Sequence, residues 1–237
     1  MKRRFFLIFT IIFMCTLVII GGAITFVKSD SVLKEDKQAT AIKSPKDLSL
    51  LIDITENKLY VISKGVIIKT YPVASGKYNT PSPIGDWIVT SKGNWGDGFG
   101  GRWMGLNVPW GRYGIHGTER PYSIGGAVSH GCIRMYNKDA VELYKIIKYG
   151  TPVKIYGGPF GSFGNGFRII KPGDRGSDVY EVQKRLKQKG YFKGYVSGIY
   201  DETTKKAVHN FQRKNNMVLS NSIGHSFYNR LGIILFD

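Results

Sequence analysis

A glycine-rich stretch at 157–166 divides this sequence into two segments whose apolar residues follow different patterns. Before it, apolar residues alternate with polar or smaller ones, which is typical of β-strands with one buried face. After it, as in 179–186, apolar residues recur every three or four positions, which is typical of amphipathic helices. The sequence therefore predicts a mostly β domain over 47–156, a linker over 157–168 and a small all-α domain of three helices over 169–237.

Shorter patterns predict individual elements. The turn at 63–65 lies between two apolar runs and predicts a β-hairpin. Helical spacing over 138–147, with Asn137 as the N-cap, predicts one helix in the β domain. A second helix of the all-α domain should begin at Asp201. The five glycines of 93–101 are interpreted as a surface loop, with a mobile flap beside a functional site as the alternative.

The N-terminal segment predicts a membrane anchor. Residues 5–27 contain no charged side chain, and twenty-three such residues suffice to cross a bilayer as a helix. Basic residues precede them, so the positive-inside rule predicts a cytoplasmic tail at 1–4 and export of the remainder. A cleaved signal peptide is the alternative, but its apolar region usually runs about 7–15 residues. We expect an uncleaved single-pass anchor over 5–27, followed by a polar tether over 28–46.

The chain is strongly basic, with 34 lysine and arginine residues against 17 acidic ones and a net charge of +17. Such a charge predicts a polyanionic neighbour, either nucleic acid, an anionic membrane face or a cell wall that carries phosphate and carboxylate groups. The sequence contains no recognisable nucleic-acid-binding module, and export removes the chain from the cytoplasm. We therefore expect no nucleic-acid partner.

The only cysteine outside the apolar segment, Cys132, lies two residues after His130 and sixteen after His116. A thiol attacks carbonyl carbon as the thiolate, and a free cysteine with a pKa of about 8.5 is only slightly ionised near neutral pH. A base within hydrogen-bond reach is therefore required, and both histidines are candidates. Gly131 permits a tight turn that lets backbone N–H groups point at a developing oxyanion. This set predicts nucleophilic catalysis by Cys132.

These residues also permit two other interpretations. His116, His130 and Cys132 are all zinc-ligand types, so a metal site is one alternative. A lone cysteine is often a small buried apolar residue, so a purely structural role is the other. The spacing of the three residues is by itself compatible with each interpretation.

The segments His116-Gly117-Thr118 and Ser129-His130-Gly131-Cys132-Ile133-Arg134 together resemble the signature of the L,D-transpeptidase (YkuD-type) catalytic domain. The resemblance continues through 80–85 and 110–115 and covers about 48–156. It implies a β-sandwich with a short helix after the nucleophile. It also implies acyl transfer on the stem peptides of peptidoglycan, with no metal or organic cofactor.

The same resemblance implies a role for each matching residue. Cys132 corresponds to the nucleophile. His116 corresponds to the general base, whose ring is oriented by the backbone carbonyl of Gly117. The positions that shape the oxyanion hole and hold the substrate correspond to Ser129, His130, Gly131 and Arg134.

A second resemblance covers about 169–233. The segments 173–179 and 183–186, together with later Gly-Tyr, Thr-Thr and Phe-Gln pairs, are similar to a peptidoglycan-binding domain. The chain departs from that pattern at 198–200, where the family often has Gly-x-Phe-Gly, and at 216–218. The resemblance implies that peptidoglycan is a partner, and the departures leave the strength of glycan binding open.

Together these expectations describe a membrane-anchored enzyme that acts on the extracellular side, in the cell wall. Cys132 would attack the carbonyl that precedes the terminal D-alanine of a stem peptide, and an amine of another stem would resolve the acyl-enzyme into a cross-link. The alternatives are an L,D-carboxypeptidase, in which water resolves the acyl-enzyme, a non-catalytic wall-binding protein, and a zinc hydrolase. A papain-like protease does not fit, because that fold places its cysteine before its histidine.

Overall fold

The computed structural model describes residues 47–233. The predicted cytoplasmic tail, anchor and tether, over 1–46, lie outside the described residues. Within 47–233, no helix combines the length and the apolar character that crossing a bilayer requires.

The segment that was predicted to be mostly β forms ten strands. They are β1 (Leu48–Asp53), β2 (Lys58–Ser63), β3 (Val66–Pro72), β4 (Ser75–Gly76), β5 (Gly85–Gly93), β6 (Trp103–Leu106), β7 (Tyr113–His116), β8 (Ala127–Ser129), β9 (Ile133–Arg134) and β10 (Pro152–Tyr156). The predicted hairpin at 63–65 is confirmed, because it joins the antiparallel pair β2 and β3.

Eight of these strands form one mixed sheet in the order β3-β2-β1-β10-β5-β6-β7-β9, and β4 and β8 form a separate parallel pair. In the large sheet, β1 pairs with β10 and β7 with β9 in parallel, and the other neighbours are antiparallel. The first half of β5 pairs with β10 and the second half pairs with β6, with an irregularity in the register between Val89 and Ser91. The mostly β character is confirmed. The predicted sandwich of two sheets is corrected to one curled sheet, because β5 is long enough to join both halves.

One helix, α1 (Asn137–Ile146), follows β9 and buries Ala140 and Leu143 in the core of this sheet. The predicted helix is confirmed, but the predicted N-cap is wrong by one residue. Tyr136 occupies the cap, and Asn137 is the first helical residue. The Asn137 side chain instead accepts a hydrogen bond from the backbone N–H of Thr118 at 2.7 Å, which joins the start of α1 to the end of β7.

The part of the chain over 169–233 contains the three predicted helices. They are α2 (Ser177–Gln188), α3 (Glu202–Lys214) and α4 (His225–Leu231). The apolar face of α2, formed by Val179, Val182 and Leu186, is buried in a second core. Asp201 is the N-cap of α3, as predicted, and its Oδ1 accepts a hydrogen bond from the backbone N–H of Thr204 at 2.8 Å.

A fully buried polar side chain, Gln183 of α2, holds the turn that precedes α3. Its Oε1 accepts a hydrogen bond from the N–H of Gly198 at 2.7 Å. Its Nε2 donates to the carbonyl of Ile199 at 2.9 Å and to Oγ1 of Thr204 at 2.8 Å. Because buried polar groups need partners, Gln183 connects α2, the turn and α3 through one side chain.

We expect Gln183→Leu to lower the free energy of unfolding by about 1–3 kcal/mol, because it leaves the Gly198 N–H buried without an acceptor. Gln188→Leu, at an exposed position of the same helix, is the matched control and should change the free energy little. Urea denaturation followed by circular dichroism measures the difference. Equal stabilities of the two variants would contradict the role assigned to Gln183.

Candidate active site

Strand pairing brings the two halves of the sequence motif together. β7 and β9 are parallel, with Ile115 opposite Ile133 and His116 opposite Arg134. The His116 carbonyl accepts a hydrogen bond from the N–H of Met135 at 2.8 Å. Ile115 and Ile133 are both buried, so the apolar core holds the two strands in this register. Segments that are remote in the sequence thus meet at one edge of the large sheet.

The imidazole of His116 is oriented by the residue that follows it. His116 Nδ1 lies 2.5 Å from the carbonyl oxygen of Gly117. Because a carbonyl can only accept a hydrogen bond, Nδ1 carries the proton and Nε2 keeps its lone pair. A Cβ on Gly117 would lie 2.5 Å from Asn137 Oδ1 and 3.0 Å from Gly100 Cα, so this position requires glycine. The geometry presents Nε2 as a proton acceptor.

Aromatic side chains bury the His116 ring. The ring of Phe99 lies 4.9 Å from it and that of Trp103 5.7 Å, between centroids, and Trp95 stacks on Trp103 at 4.4 Å. Burial lowers the pKa of His116 to about 4, and the positive charge of Arg134 acts in the same direction. The imidazole is therefore neutral at neutral pH.

The glycine-rich segment 93–101 lies against this site. It carries Phe99, whose ring contacts His116. Its Gly100 has a φ of 57°, and a Cβ there would lie 2.7 Å from the Cα of Gly117. The segment that was interpreted as a surface loop thus covers one side of the His116 ring. Its place agrees with the alternative interpretation, a flap beside the site, while its mobility stays a prediction.

The turn that carries the cysteine depends on a glycine and a serine. Gly131 has a φ of 109°, and a Cβ there would lie 2.6 Å from Cε1 of Tyr113 and 3.0 Å from the carbonyl oxygen of Pro81. The buried Ser129 Oγ accepts a hydrogen bond from the N–H of Gly131 at 3.0 Å and donates one to the carbonyl of Cys132 at 2.6 Å. The hydroxyl therefore closes the turn on both sides of the glycine.

Cys132 is partly buried, and its Sγ lies 4.0 Å from the carbonyl oxygen of Arg112. Burial raises the pKa of the thiol, while the backbone of Gly114 and the charge of Arg134 act in the opposite direction. The thiol is therefore protonated at neutral pH and needs a base. Within residues 47–233, the hydrogen bond of this thiol is to the Arg112 carbonyl and none is formed to His116.

Arg134 occupies the position beside both groups. Its backbone exchanges two hydrogen bonds with Ala74, at 2.8 and 2.9 Å, which fixes the short β9 from its other side. Its positive charge lowers the pKa of both His116 and Cys132. A cation in this place favours negative charge on sulfur and opposes positive charge on the imidazole.

The remaining site residue, His130, is exposed, whereas the other predicted residues are buried or partly buried. The zinc interpretation requires His130 to lie with His116 and Cys132. In the part of the chain that the structure describes, no three histidine, cysteine, aspartate or glutamate residues are grouped closely enough to hold a metal ion. The structure therefore brings together Cys132, His116, Gly117, Ser129, Gly131 and Arg134 and leaves the His130 side chain at the surface.

Two contacts of the site were not predicted from the sequence. Phe99 belongs to a segment that was interpreted from its glycines, although the two aromatic residues of this loop, Trp95 and Phe99, are a signal of packing. Asn137 was interpreted as a helix cap. Its contact with Thr118 depends on the tertiary packing of α1 beside β7, which sequence spacing does not reveal.

We expect the stability of the protein to fall as the pH falls from 6.5 to 4, by at most about 1.4 kcal/mol per pH unit from His116. The unfolded chain binds a proton at His116 near pH 6.5, whereas the native state resists it until about pH 4. His116→Gln should remove this contribution. Urea denaturation of both proteins across this range measures it, and parallel curves would contradict the buried neutral imidazole.

We expect Gly131→Ala to lower the free energy of unfolding by about 1–3 kcal/mol, because the methyl group meets Tyr113 and the backbone has a positive φ. Gly98→Ala is the matched control, since a Cβ there meets open space. Thermal melts of the two variants measure the difference, and an unchanged melting temperature for Gly131→Ala would contradict the proposed constraint on the turn.

Two family models match this chain. The model of the L,D-transpeptidase catalytic domain matches residues 47–155, and that of a peptidoglycan binding domain matches residues 175–219.

Curated relatives give the same result. YkuD of Bacillus licheniformis, named as an L,D-transpeptidase, is 41% identical over 117 residues, which cover 48% of this chain and 70% of that protein. YqjB of Bacillus subtilis, named likewise, is 37% identical over 127 residues, which cover 47% of this chain and 72% of that protein. YkuD of Bacillus subtilis is 50% identical over 90 residues, 38% of this chain and 54% of that protein. The chain therefore belongs to the L,D-transpeptidase family of enzymes.

Proposed function

We propose that this enzyme cross-links peptidoglycan by acyl transfer between stem peptides, with Cys132 as the nucleophile and His116 as the general base. The observation that carries the proposal is the pairing of β7 with β9, which sets the Cys132 turn beside an imidazole whose Nε2 is unprotonated. Membership of the L,D-transpeptidase family supports the same reaction.

The first step joins the stem peptide to the enzyme. Nε2 of His116 takes the proton of the Cys132 thiol as the sulfur attacks the carbonyl carbon that precedes the terminal D-alanine. Since burial disfavours both the thiolate and the imidazolium in the free enzyme, proton transfer accompanies the attack. The tetrahedral intermediate then collapses, the C–N bond breaks, and the imidazolium returns the proton to the departing amine. A thioester and free D-alanine result.

Backbone donors of the cysteine turn would stabilise the oxyanion. The Gly131 N–H is already donated to Ser129, so its part is to shape the turn. Among the hydrogen bonds within 47–233, the N–H groups of His130 and Cys132 have no acceptor, and these are the donors that we assign to the oxyanion hole. Each such donor lowers the activation barrier by about 2.7–4 kcal/mol in known acyl-transfer enzymes. Arg134 then holds the substrate and stabilises negative charge near the sulfur.

The second step releases the acyl group to an acceptor. An amine of a neighbouring stem attacks the thioester carbonyl, His116 removes the proton from the attacking nitrogen, and the thiol is regenerated as the amide cross-link forms. None of these steps requires a metal or an organic cofactor.

The remainder of the chain would keep the enzyme in the wall. The match of 175–219 to a peptidoglycan binding domain supports peptidoglycan as a partner. The net charge of +17 suits a polymer that carries carboxylates and phosphates. We infer that the apolar segment 5–27 anchors the chain in the cell membrane, with the domains on the cell-wall side.

The test is to incubate the full chain with disaccharide-tetrapeptide muropeptides and to identify products and acyl-enzyme by mass spectrometry. We expect cross-linked dimer and free D-alanine, insensitive to EDTA. Cys132→Ala should form neither, and His116→Ala should be slower by about 10²–10⁴. His225→Ala, at an exposed histidine of α4, is the matched control and should be as active as the parent protein.

Other products would support other functions. Tripeptide without dimer would identify an L,D-carboxypeptidase, in which water resolves the same acyl-enzyme. Loss of activity with EDTA would favour a zinc hydrolase. Absence of both acyl-enzyme and product with every stem peptide would leave a non-catalytic wall-binding protein as the better account.

A further inference from the structure

The peptidoglycan-binding part of the chain packs directly on the catalytic part. Tyr180 of α2 lies 5.6 Å from Trp87 and 5.5 Å from Trp110, between ring centroids. The indole of Trp110 also lies on Gly198, where a Cβ would be 3.0 Å from its Cδ2 atom. Ile199 packs on the same core as these tryptophans. The two parts therefore share an aromatic interface.

The backbone of Arg175 is bonded to the turn at this interface. Arg175 and Ile199 form an isolated antiparallel bridge, and the N–H of Gly176 donates to the carbonyl of Gly198 at 2.9 Å. Gln183 fixes the same turn from within the second core. The backbone at 175–176 is thus bonded to the turn that lies on Trp110.

Trp110 connects this turn to the nucleophile. Its ring lies 6.3 Å from that of Tyr113, and Tyr113 packs on Gly131, the residue before Cys132. The Tyr113 hydroxyl lies within electrostatic reach of both parts of the chain. Burial chiefly raises its pKa, a negative charge on Cys132 would raise it further, and Arg175 lowers it. The turn bonded to Arg175 is therefore linked to the Cys132 turn through Trp110 and Tyr113.

The Arg175 guanidinium has no carboxylate partner among residues 47–233. The neighbouring acids, Asp174 and Asp178, both pair with Arg168, at 3.0 and 2.6 Å. The Arg175 side chain is exposed. An exposed arginine without a carboxylate partner, on a turn linked through Trp110 and Tyr113 to the cysteine turn, is suited to an anionic group of a ligand. Arginine binds carboxylates through two parallel hydrogen bonds.

We propose that Arg175, contributed by the peptidoglycan-binding domain, completes the substrate cleft of the catalytic domain and binds a carboxylate of the stem peptide. The proposal rests on the proposed function, because it names a specificity residue for the same site. It gives the C-terminal domain a part in selecting the peptide as well as in holding the wall.

The first test measures how the charge of Arg175 affects an anionic reagent at Cys132, and it does not depend on the enzyme's own reaction. The full chain is alkylated with iodoacetate, which is anionic, or with iodoacetamide, which is neutral, and the rate at Cys132 is read by peptide mass spectrometry. Arg175→Ala should lower the ratio of the two rates by about fivefold, as expected for the loss of one ion pair near the surface. Arg175→Lys should restore most of it. Arg213→Ala, at an exposed arginine of α3, is the matched control and should leave the ratio unchanged.

The second test uses stem peptides with a free C-terminal carboxylate and with a C-terminal amide. For the free acid, Arg175→Ala should raise KM about tenfold with a smaller change in kcat, and for the amide it should change KM little. Arg175→Lys should recover part of the preference. A merely structural role would alter both peptides equally.

The outcomes separate this proposal from the proposed function. If neither peptide acylates the parent protein, the proposed function fails. The ratio of the iodoacetate rate to the iodoacetamide rate still decides whether the charge of Arg175 acts at Cys132. If the parent protein is active and Arg175→Ala matches Arg213→Ala in both tests, Arg175 has no part in the site. If Arg175→Ala loses binding to the wall while the ratio of alkylation rates and the KM values stay unchanged, Arg175 belongs to glycan binding instead. That outcome would also overturn the proposal.

Discussion

The candidate active site depends on the parallel contact between β7 and β9. β9 has only two residues, too few to hold a strand in place by one ladder alone. Its inner residue, Ile133, is buried, and its outer residue, Arg134, exchanges hydrogen bonds with Ala74 on the side away from β7. The segment between the two strands includes β8, which pairs with β4 and brings Ser129 to the cysteine turn. Apolar burial and pairing on both sides thus combine to fix the segments that carry His116 and Cys132.

Burial gives this pair its electrostatic character. A low-dielectric surrounding disfavours charge on both His116 and Cys132, so the resting enzyme holds a neutral imidazole and a neutral thiol. A preformed thiolate–imidazolium pair would be reactive towards many electrophiles. In the mechanism that we propose, the neutral arrangement lets the thiolate form only where a bound carbonyl and the Arg134 charge make it favourable. That mechanism would couple selectivity for the substrate to the desolvation that the aromatic rings provide.

The parts of the structure that follow from local sequence could be predicted. The hairpin at 63–65, the helix after the cysteine and the three C-terminal helices each have a period or a turn that specifies them. The residues of the candidate site could also be named from their side-chain chemistry, and their catalytic roles stay a prediction. The continuity of the large sheet could not be predicted, since it depends on the length and register of β5. The same limit applies to Asn137 and to Trp110, whose partners lie far away in the chain and are chosen by packing.

The contact of Trp110 with Gly198 has a consequence for how this chain could be built from interchangeable modules. Position 198 tolerates no side chain while an indole covers it, and its φ of 68° also favours glycine. A chimaera that carried an unrelated wall-binding module would leave Trp87 and Trp110 bare, and exposed aromatic patches promote aggregation. Substitutions at 110 and 198 should therefore be accepted only in combination, so an exchange of either domain must preserve both sides of this contact.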